Sequence, residues 1–446
     1  MHRDILNDLE EWKASSHRKP LMLKGARQVG KTWSLKEFGA RSYQNVAYFS
    51  LERIDRDTPS EWAEFFQTTR DPHRIVANLS LASGFVIRPK TTLLILDEIQ
   101  DCPAAIGALK AFCEDAPEYH VATAGSLLGV ALSRDKGSFP VGKVTFMDMQ
   151  PLTFSEFLRA DGASNLADWC QDVHASEGVP SMISARLAEE LQRYFVVGGM
   201  PEAVKRWSET SDVGQVDRVL ADLLDSYDRD FAKHGGVAMY AKLSRVWRSL
   251  PTHLARENKK FVYGQVREGA RAREYEDAIE WLASAGLVRK VVRSKAPSIP
   301  LSSNDDEAAF KLYCLDVGLL RAMAHLPATA FGRTDELFSQ FKGGFAESYV
   351  AQTLAGQFAA PVRYWTNAKP RHEVDFIVQA GEQVVPIEVK SGENVRASSL
   401  RYYGRKYPEA TPLRVRCSLL GLRQDNDMLN VPLYLADHMA RLIGER

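Results

Sequence analysis

The 446 residues are too many for a single hydrophobic core, so two or three domains are expected, and 57 basic against 57 acidic residues exclude a chain that meets nucleic acid or membrane through bulk charge. Five cysteines (Cys102, Cys113, Cys170, Cys314, Cys417) without CxxC pairing argue against a zinc site or a disulfide framework and fit a reducing compartment. No apolar run approaches the roughly 18 residues of a membrane span, and the charged, helix-like start (Met1 to Trp12) is unlike a signal peptide, so a soluble cytoplasmic protein with no membrane partner is expected.

Leu21-Met22-Leu23 reads as a short strand, and the next residues, Gly25-Ala26-Arg27-Gln28-Val29-Gly30-Lys31-Thr32, form a complete P-loop ahead of a helix from Trp33 to Phe38. Gly25 and Gly30 let backbone N–H groups turn inward around phosphates, and the helix start adds its positive dipole end. The cradle of Gly25, Ala26, Arg27, Gln28, Val29, Gly30, Lys31, Thr32 and Trp33 is therefore expected to bind ATP. Lys31 would reach the β- and γ-phosphates, and Thr32 would offer its hydroxyl to Mg²⁺.

A second strand is expected over Val46 to Leu51, with Glu52 at its end. The unbroken apolar run Leu93-Leu94-Ile95-Leu96 then reads as a strand buried on both faces and ends in Asp97-Glu98. One carboxylate alone is commonly a strand cap; the pair, about 65 residues after the P-loop, reads as a Walker B strand. Asp97 would hold the Mg²⁺ shell, and Glu98 would polarise the attacking water. A helix (Ala104 to Glu114) and a strand (His120 to Thr123) follow, after which Thr123 and Ser126 are candidate γ-phosphate sensors. Ala-Gly-Ser is equally ordinary turn chemistry. The strand–helix alternation from about residue 20 to 160 predicts a doubly wound α/β sheet with its ligand at the carboxyl ends of the strands.

Residues 160 to 235 read as helices, broken at Gly198-Gly199-Met200-Pro201, with an amphipathic stretch at Asp222-Leu223-Leu224-Asp225-Ser226-Tyr227. Ala241 to Pro297 carries thirteen basic residues against six acidic ones. Its order is a helix (Leu243 to His253), the segment Phe261-Val262-Tyr263, a helix (Glu274 to Ala285) and a strand, which suggests a winged helix, a module that contacts DNA or protein. Ser302 to Glu307 is polar and acidic and reads as a linker.

Near the C-terminus, Glu373 to Val378 and Val384 to Lys390 read as two strands joined by Ala380-Gly381-Glu382-Gln383. A period of two places Glu388 and Lys390 on one face. Asp375 can converge on the same point, and Glu347 lies upstream on a helix (Gly344 to Leu354). An Asp, a Glu-x-Lys and a helical Glu match the PD-(D/E)xK nuclease-like pattern, in which carboxylates of Glu347, Asp375 and Glu388 would hold Mg²⁺ and Lys390 would orient water. Charges also commonly flank exposed strands, and folds of this kind also serve for binding alone.

Taken with Gly125-Ser126-Leu127-Leu128, Phe139-Pro140-Val141-Gly142-Lys143, Pro151-Leu152-Thr153-Phe154-Ser155-Glu156-Phe157-Leu158, Gly199-Met200-Pro201-Glu202 and Leu315-Asp316-Val317-Gly318-Leu319-Leu320, these segments make the chain resemble, over nearly its whole length, the prokaryotic predicted AAA-type ATPases whose C-terminal region is a domain of unknown function with a PD-(D/E)xK-like end. The resemblance implies an α/β fold: a P-loop RecA/AAA-like doubly wound parallel sheet over residues 1–160, a helical lid or connector over 161–235, a winged-helix-like module over 236–300 and a PD-(D/E)xK-like α/β domain over 301–446. The leading expectation is an ATP hydrolase acting as a nucleotide-dependent switch, with DNA, a protein partner or further copies of the chain as its partners. The alternative is a signalling scaffold whose nuclease-like fold is catalytically dead. An arginine finger is expected in such ATPases; Arg134, Lys143 and Arg229 are the candidates, each also readable as a surface charge. No second motor core is visible, which argues against a helicase or translocase.

Overall fold

A computed structural model describes residues 1–55, 58–125, 140–256, 259–332, 336–367, 372–391 and 397–444. The chain divides into two compact units, one of His2–Gln150 with Ser284–Gly286, the other of Pro151–Ala283 with Leu287–Arg446.

In the first unit, β1 (Leu21–Lys24), β2 (Asn45–Ser50), β3 (Thr92–Asp97), β4 (His120–Ala124) and β5 (Thr145–Asp148) form one sheet in the order β2-β3-β4-β1-β5. Every pairing is parallel. The apolar run of β3 is buried at all six positions and that of β4 at all five, as expected of strands covered on both faces. Helices α1 (Ile5–Ala14), α2 (Lys31–Ser42), α3 (Ala63–Thr68), α4 (Pro72–Ser83) and α5 (Pro103–Asp115) accompany the sheet. One core gathers Ile75 and Leu79 of α4, Leu94 and Leu96 of β3, and Leu109 and Phe112 of α5. The opening helix has a further task. Arg3, buried just ahead of it, donates one guanidinium nitrogen to the Val29 carbonyl at 2.8 Å and another to the Gln150 carbonyl at 2.7 Å, bracing the P-loop from below.

The second unit begins with helices α6 (Phe154–Ala160), α7 (Ser164–Asp172), α8 (Ser181–Val197) and α9 (Pro201–Thr210). The long α10 (Val213–Leu254) is two helical stretches meeting at Gly236, whose φ of 64° breaks the run. After α11 (Tyr263–Val266) and α12 (Ala272–Ser284) come β6 (Val288–Ser294) and β7 (Asp305–Cys314), then α13 (Val317–Met323), α14 (Glu336–Leu354), β8 (Arg363–Asn367), β9 (His372–Ala380), β10 (Gln383–Val389), α15 (Ser398–Lys406), β11 (Arg414–Ser418), β12 (Arg423–Asp425), β13 (Met428–Pro432) and α16 (Met439–Gly444). The strands make a single eight-stranded sheet in the order β12-β13-β11-β10-β9-β8-β6-β7. The expected β9–β10 hairpin forms, with Gly381 at a φ of 60° in its turn.

Ser302 to Glu307 is not a linker. A short 3₁₀ turn (Leu301–Asn304) leads into β7, which pairs antiparallel with β6 across residue 300, while β6 pairs parallel with β8. The acidic residues that suggested a solvated boundary are instead partnered: Asp305 accepts both forks of Arg363 at 2.7 Å, and Asp306 pairs with Arg293.

Three of the sequence motifs meet in one buried knot of this unit. Tyr194 donates its hydroxyl to the Leu152 carbonyl (2.6 Å), Leu152 N–H donates to Gly199 O (2.7 Å), and Gly199 N–H donates to Asp316 Oδ2 (2.6 Å), while Asp316 Oδ1 caps α13 through Leu319 N–H (3.0 Å). A Cβ on Gly198 or Gly199 would collide with Asp316 or with the Leu152 backbone, so the paired glycines are a condition of this close approach. Thr153 and Glu156 complete a capping box at the start of α6.

Candidate functional site

The nucleotide cradle lies in the first unit, where β1 runs into the P-loop. Gly25 has a φ of 147°, and a Cβ there would strike the Met149 carbonyl oxygen, so only glycine lets the loop pass. Gly30 caps α2 in the left-handed region at φ 97°, and Gln28, a non-glycine residue, is also left-handed at φ 65°. Lys31 is buried. Its ammonium donates to two backbone carbonyls of the loop, Ala26 O at 2.7 Å and Gly25 O at 3.0 Å. Burial pushes its pKa down to about 8; Glu98 and Asp97 pull it up, and Arg27 pushes it further down.

Strands β1 and β3 are separated by β4, yet Thr32 donates its hydroxyl to Asp97 Oδ2 at 2.7 Å. Asp97 is also held by Tyr48, whose hydroxyl donates to the same oxygen at 3.0 Å, and by the Glu98 N–H, which donates to Oδ1 at 3.0 Å. Glu98 sits left-handed at φ 49° immediately after the strand, and Gln100 donates its amide to Glu98 Oε2 at 2.5 Å. Lysine, threonine and the two carboxylates thus meet at one end of the parallel sheet, and Trp33 stands half-exposed on α2 beside them.

Other sequence candidates fare differently. Ser126 and Arg134 lie outside the described residues. Thr123 is fully buried and donates its hydroxyl to the Leu21 carbonyl at 3.0 Å, a bond within the sheet. Glu52 is exposed after β2, Lys143 forms a surface ion pair with Glu114 at 2.8 Å, and Arg229 lies on α10 of the other unit. Tyr48, Arg3 and Gln100 carry no sequence signal; only strand register and loop closure reveal them.

The second constellation assembles within the C-terminal unit. The antiparallel register of β9 and β10 runs as far as Phe376 opposite Ile387, which leaves Asp375 next to the Glu388–Val389 end of β10. Val389 N–H donates to Asp375 Oδ2 at 2.8 Å, and Lys390 pairs with Glu388 Oε1 at 2.7 Å. Glu388 Oε2 is buried and has no hydrogen-bond partner among the described residues. Glu347, on α14 and 2% exposed, is fully engaged. Its Oε1 accepts from Lys311 Nζ at 2.9 Å and from the Tyr313 hydroxyl, and its Oε2 stands 2.5 Å from Lys259 Nζ. Lys311, 0% exposed, also reaches Glu373 Oε1 at 2.6 Å. Burial pushes Glu347 up, but the two ammonium groups outweigh it and hold the carboxyl down to about 2. Asp375 goes the other way: burial and then the Glu347 carboxylate raise it to about 7, against the pull of Lys311 and Lys259. Among the described residues no group of three or more His, Cys, Asp and Glu is arranged to hold a metal ion. Of the three carboxylates, only Glu388 keeps a buried oxygen without a partner among the described residues; both oxygens of Glu347 are taken by lysines, which does not fit a metal ligand.

Residues 17–158 match the family model described as AAA domain. Over this segment the chain is similar to AAA-type P-loop ATPases. Further along, residues 188–330 and 342–434 match two models that are each described only as a domain of unknown function, DUF8612 and DUF4143. No curated protein matches the chain. Among solved structures, a Walker-type ATPase of Pyrococcus abyssi is similar at 13% identity over 72% of this chain and 95% of its own, with a TM-score of 0.45. The Aeropyrum pernix ORC2 protein in ADPNP and ADP complexes follows at 11% identity, 77% and 94% coverage and a TM-score of 0.33. AMPPCP-bound DnaA from Aquifex aeolicus has 13% identity, 63% and 85% coverage and a TM-score of 0.26. No helix among the described residues is long and apolar enough to cross a membrane.

The buried charges of the C-terminal unit make a paired prediction. Glu347→Ala removes the carboxylate that Lys259 and Lys311 share, leaving Lys311 with Glu373 alone among the described residues, and is expected to cost about 3–5 kcal/mol in urea unfolding. Asp375→Asn is expected to stabilise. The folded pKa lies above the ordinary 3.8, so ionised Asp375 lowers stability as pH rises from there to about 7. The gain of the Asn variant in urea unfolding should therefore grow as pH rises through that window and level off above it.

Proposed function

We propose that the chain is a cytoplasmic, ATP-dependent molecular switch whose output acts on DNA through the C-terminal half. The observation that carries this reading is the meeting of Thr32 Oγ1 and Asp97 Oδ2 at 2.7 Å beside a buried Lys31 that donates, among the described residues, to two carbonyl oxygens of the loop. Thr32 and Asp97 would hold Mg²⁺, which when bound offsets charge on the phosphates. The Lys31 ammonium would exchange the Gly25 and Ala26 carbonyls for phosphate oxygens. Glu98, oriented by Gln100, would accept a hydrogen bond from the attacking water. No arginine finger is assigned among the described residues, and such a group is worth about 10³-fold or more in rate, so slow turnover suited to a switch is the expectation.

The DNA reading rests on the basic segment 241–297 and on the nuclease-like Asp375, Glu388 and Lys390. Much of that basic charge is already met: Lys242 pairs with Asp277 (2.9 Å), Arg267 with Glu274 (2.9 Å), Lys290 with Glu280 (2.6 Å), Lys259 with Glu347 and Arg293 with Asp306. DNA would therefore be met by a limited patch rather than by the whole segment. The engagement of Glu347 by two lysines favours a second reading, in which the nuclease-like fold binds without cleaving and nucleotide state gates a protein partner or further copies of the chain. Plasmid incubation with Mg²⁺ or Mn²⁺ separates the two. Cleavage lost in both Asp375→Ala and Lys390→Ala supports the nuclease, whereas salt-sensitive DNA binding without cleavage supports a DNA-responsive switch.

For the ATPase itself, Lys31→Ala is expected to abolish ATP binding, and Glu98→Gln to retain binding while losing turnover; unchanged hydrolysis in both variants would remove the assignment. ATP affinity should also hold steady below pH 8, then fall by about tenfold per pH unit as the Lys31 ammonium, with its pKa near 8, loses its proton. Isothermal titration between pH 6.5 and 9.5 measures this.

A further inference from the structure

Tyr48 lies on β2, beside the Walker B strand. The register sets Ser50 opposite Asp97 and Tyr48 opposite Ile95, so Tyr48, Ser50 and Asp97 share one face of the sheet and the phenol reaches diagonally forward along it. Its hydroxyl donates to Asp97 Oδ2 at 3.0 Å, the oxygen that already accepts from Thr32, while the Glu98 N–H occupies Oδ1. Two donors on one oxygen and one on the other fix both the plane and the rotamer of the carboxylate. The ring is fixed in turn, because Lys36 of α2 places its ammonium 3.5 Å from the ring centroid. The immediate neighbours Ala47 and Phe49 are buried in the core, yet Tyr48 is 36% exposed, so its ring lies at the rim and its hydroxyl reaches inward to Asp97.

We propose that Tyr48 is a positioning residue for the Mg²⁺·nucleotide site, holding the Asp97 carboxylate in the orientation that receives the metal shell, with Lys36 holding Tyr48. This rests on the nucleotide reading of the P-loop given above. A carboxylate near a metal is tuned by its own hydrogen-bond donors, and loss of such a donor typically costs about 10–100-fold in metal affinity. The hydroxyl touches neither phosphate nor base in this assignment, so its removal should leave metal-free nucleotide binding unaltered.

The test uses the full chain and the fluorescent analogue mant-ADP, titrated in EDTA and then at increasing Mg²⁺. In Tyr48→Phe the Mg²⁺ concentration giving half of the affinity gain should rise by about tenfold or more, with the EDTA affinity equal to that of the wild type. Lys36→Met should move the same midpoint in the same direction by less. An unchanged Mg²⁺ midpoint in Tyr48→Phe overturns the proposal, as does an equal loss of affinity with and without Mg²⁺, which marks general damage to the fold. If the wild type itself fails to bind mant-ADP, or binds it with no Mg²⁺ effect, the nucleotide reading fails and this proposal fails with it.

Discussion

The hydrogen bond from Thr32 to Asp97 joins two parts of the chain that the sheet itself keeps apart. Because β4 intervenes between β1 and β3, no ladder hydrogen bond holds the P-loop and the acidic pair in register. Their meeting depends on the parallel sense of all five strands, which brings every carboxyl end to one edge, and on α2 starting at Lys31 so that Thr32 leans over that edge. A charge-assisted bond of this kind contributes only about 1.5–3 kcal/mol to stability. Its weight is geometric. The loop must arrive at one height above the sheet, and two further devices set that height: the Arg3 guanidinium on the Val29 carbonyl, and the passage of Gly25 against the Met149 carbonyl.

The parts of the fold legible in the sequence are those whose physics is local. The P-loop announces itself because glycine spacing and a following helix start are both encoded within eight residues, and β3 because an unbroken apolar run needs cover on both faces. Tyr48 was invisible for the opposite reason. Its role depends on which strand pairs with β3 and in what register, and a tyrosine on a strand is otherwise ordinary packing. The linker-like composition of Ser302 to Glu307 hides a strand for the same reason. Asp305, Asp306 and Glu307 have the composition of a linker, and only the arrival of Arg363 from β8 and Arg293 from β6 turns two of those charges into sheet partners. The motif residues around Leu152, Gly199 and Asp316 carry a related lesson: a close approach between backbones demands glycine and a buried acceptor as strictly as chemistry demands a nucleophile, so such motifs are explained here by packing.

The lysines distinguish the two constellations more sharply than the carboxylates do. Lys31 is buried against neutral carbonyls and, among the described residues, has no carboxylate in direct contact, so an anion arriving at the loop gains an ionic interaction in a site already shielded from water. Lys311 and Lys259 are buried against carboxylates, and Lys390 is paired with Glu388, so their charges are already answered within the chain. An anionic ligand at the C-terminal centre would have to break one of these pairs before gaining anything, whereas at the P-loop it breaks only hydrogen bonds to backbone oxygen. The group at the C-terminal centre without a partner among the described residues is instead an oxygen, Glu388 Oε2. By this criterion the P-loop is poised for phosphate.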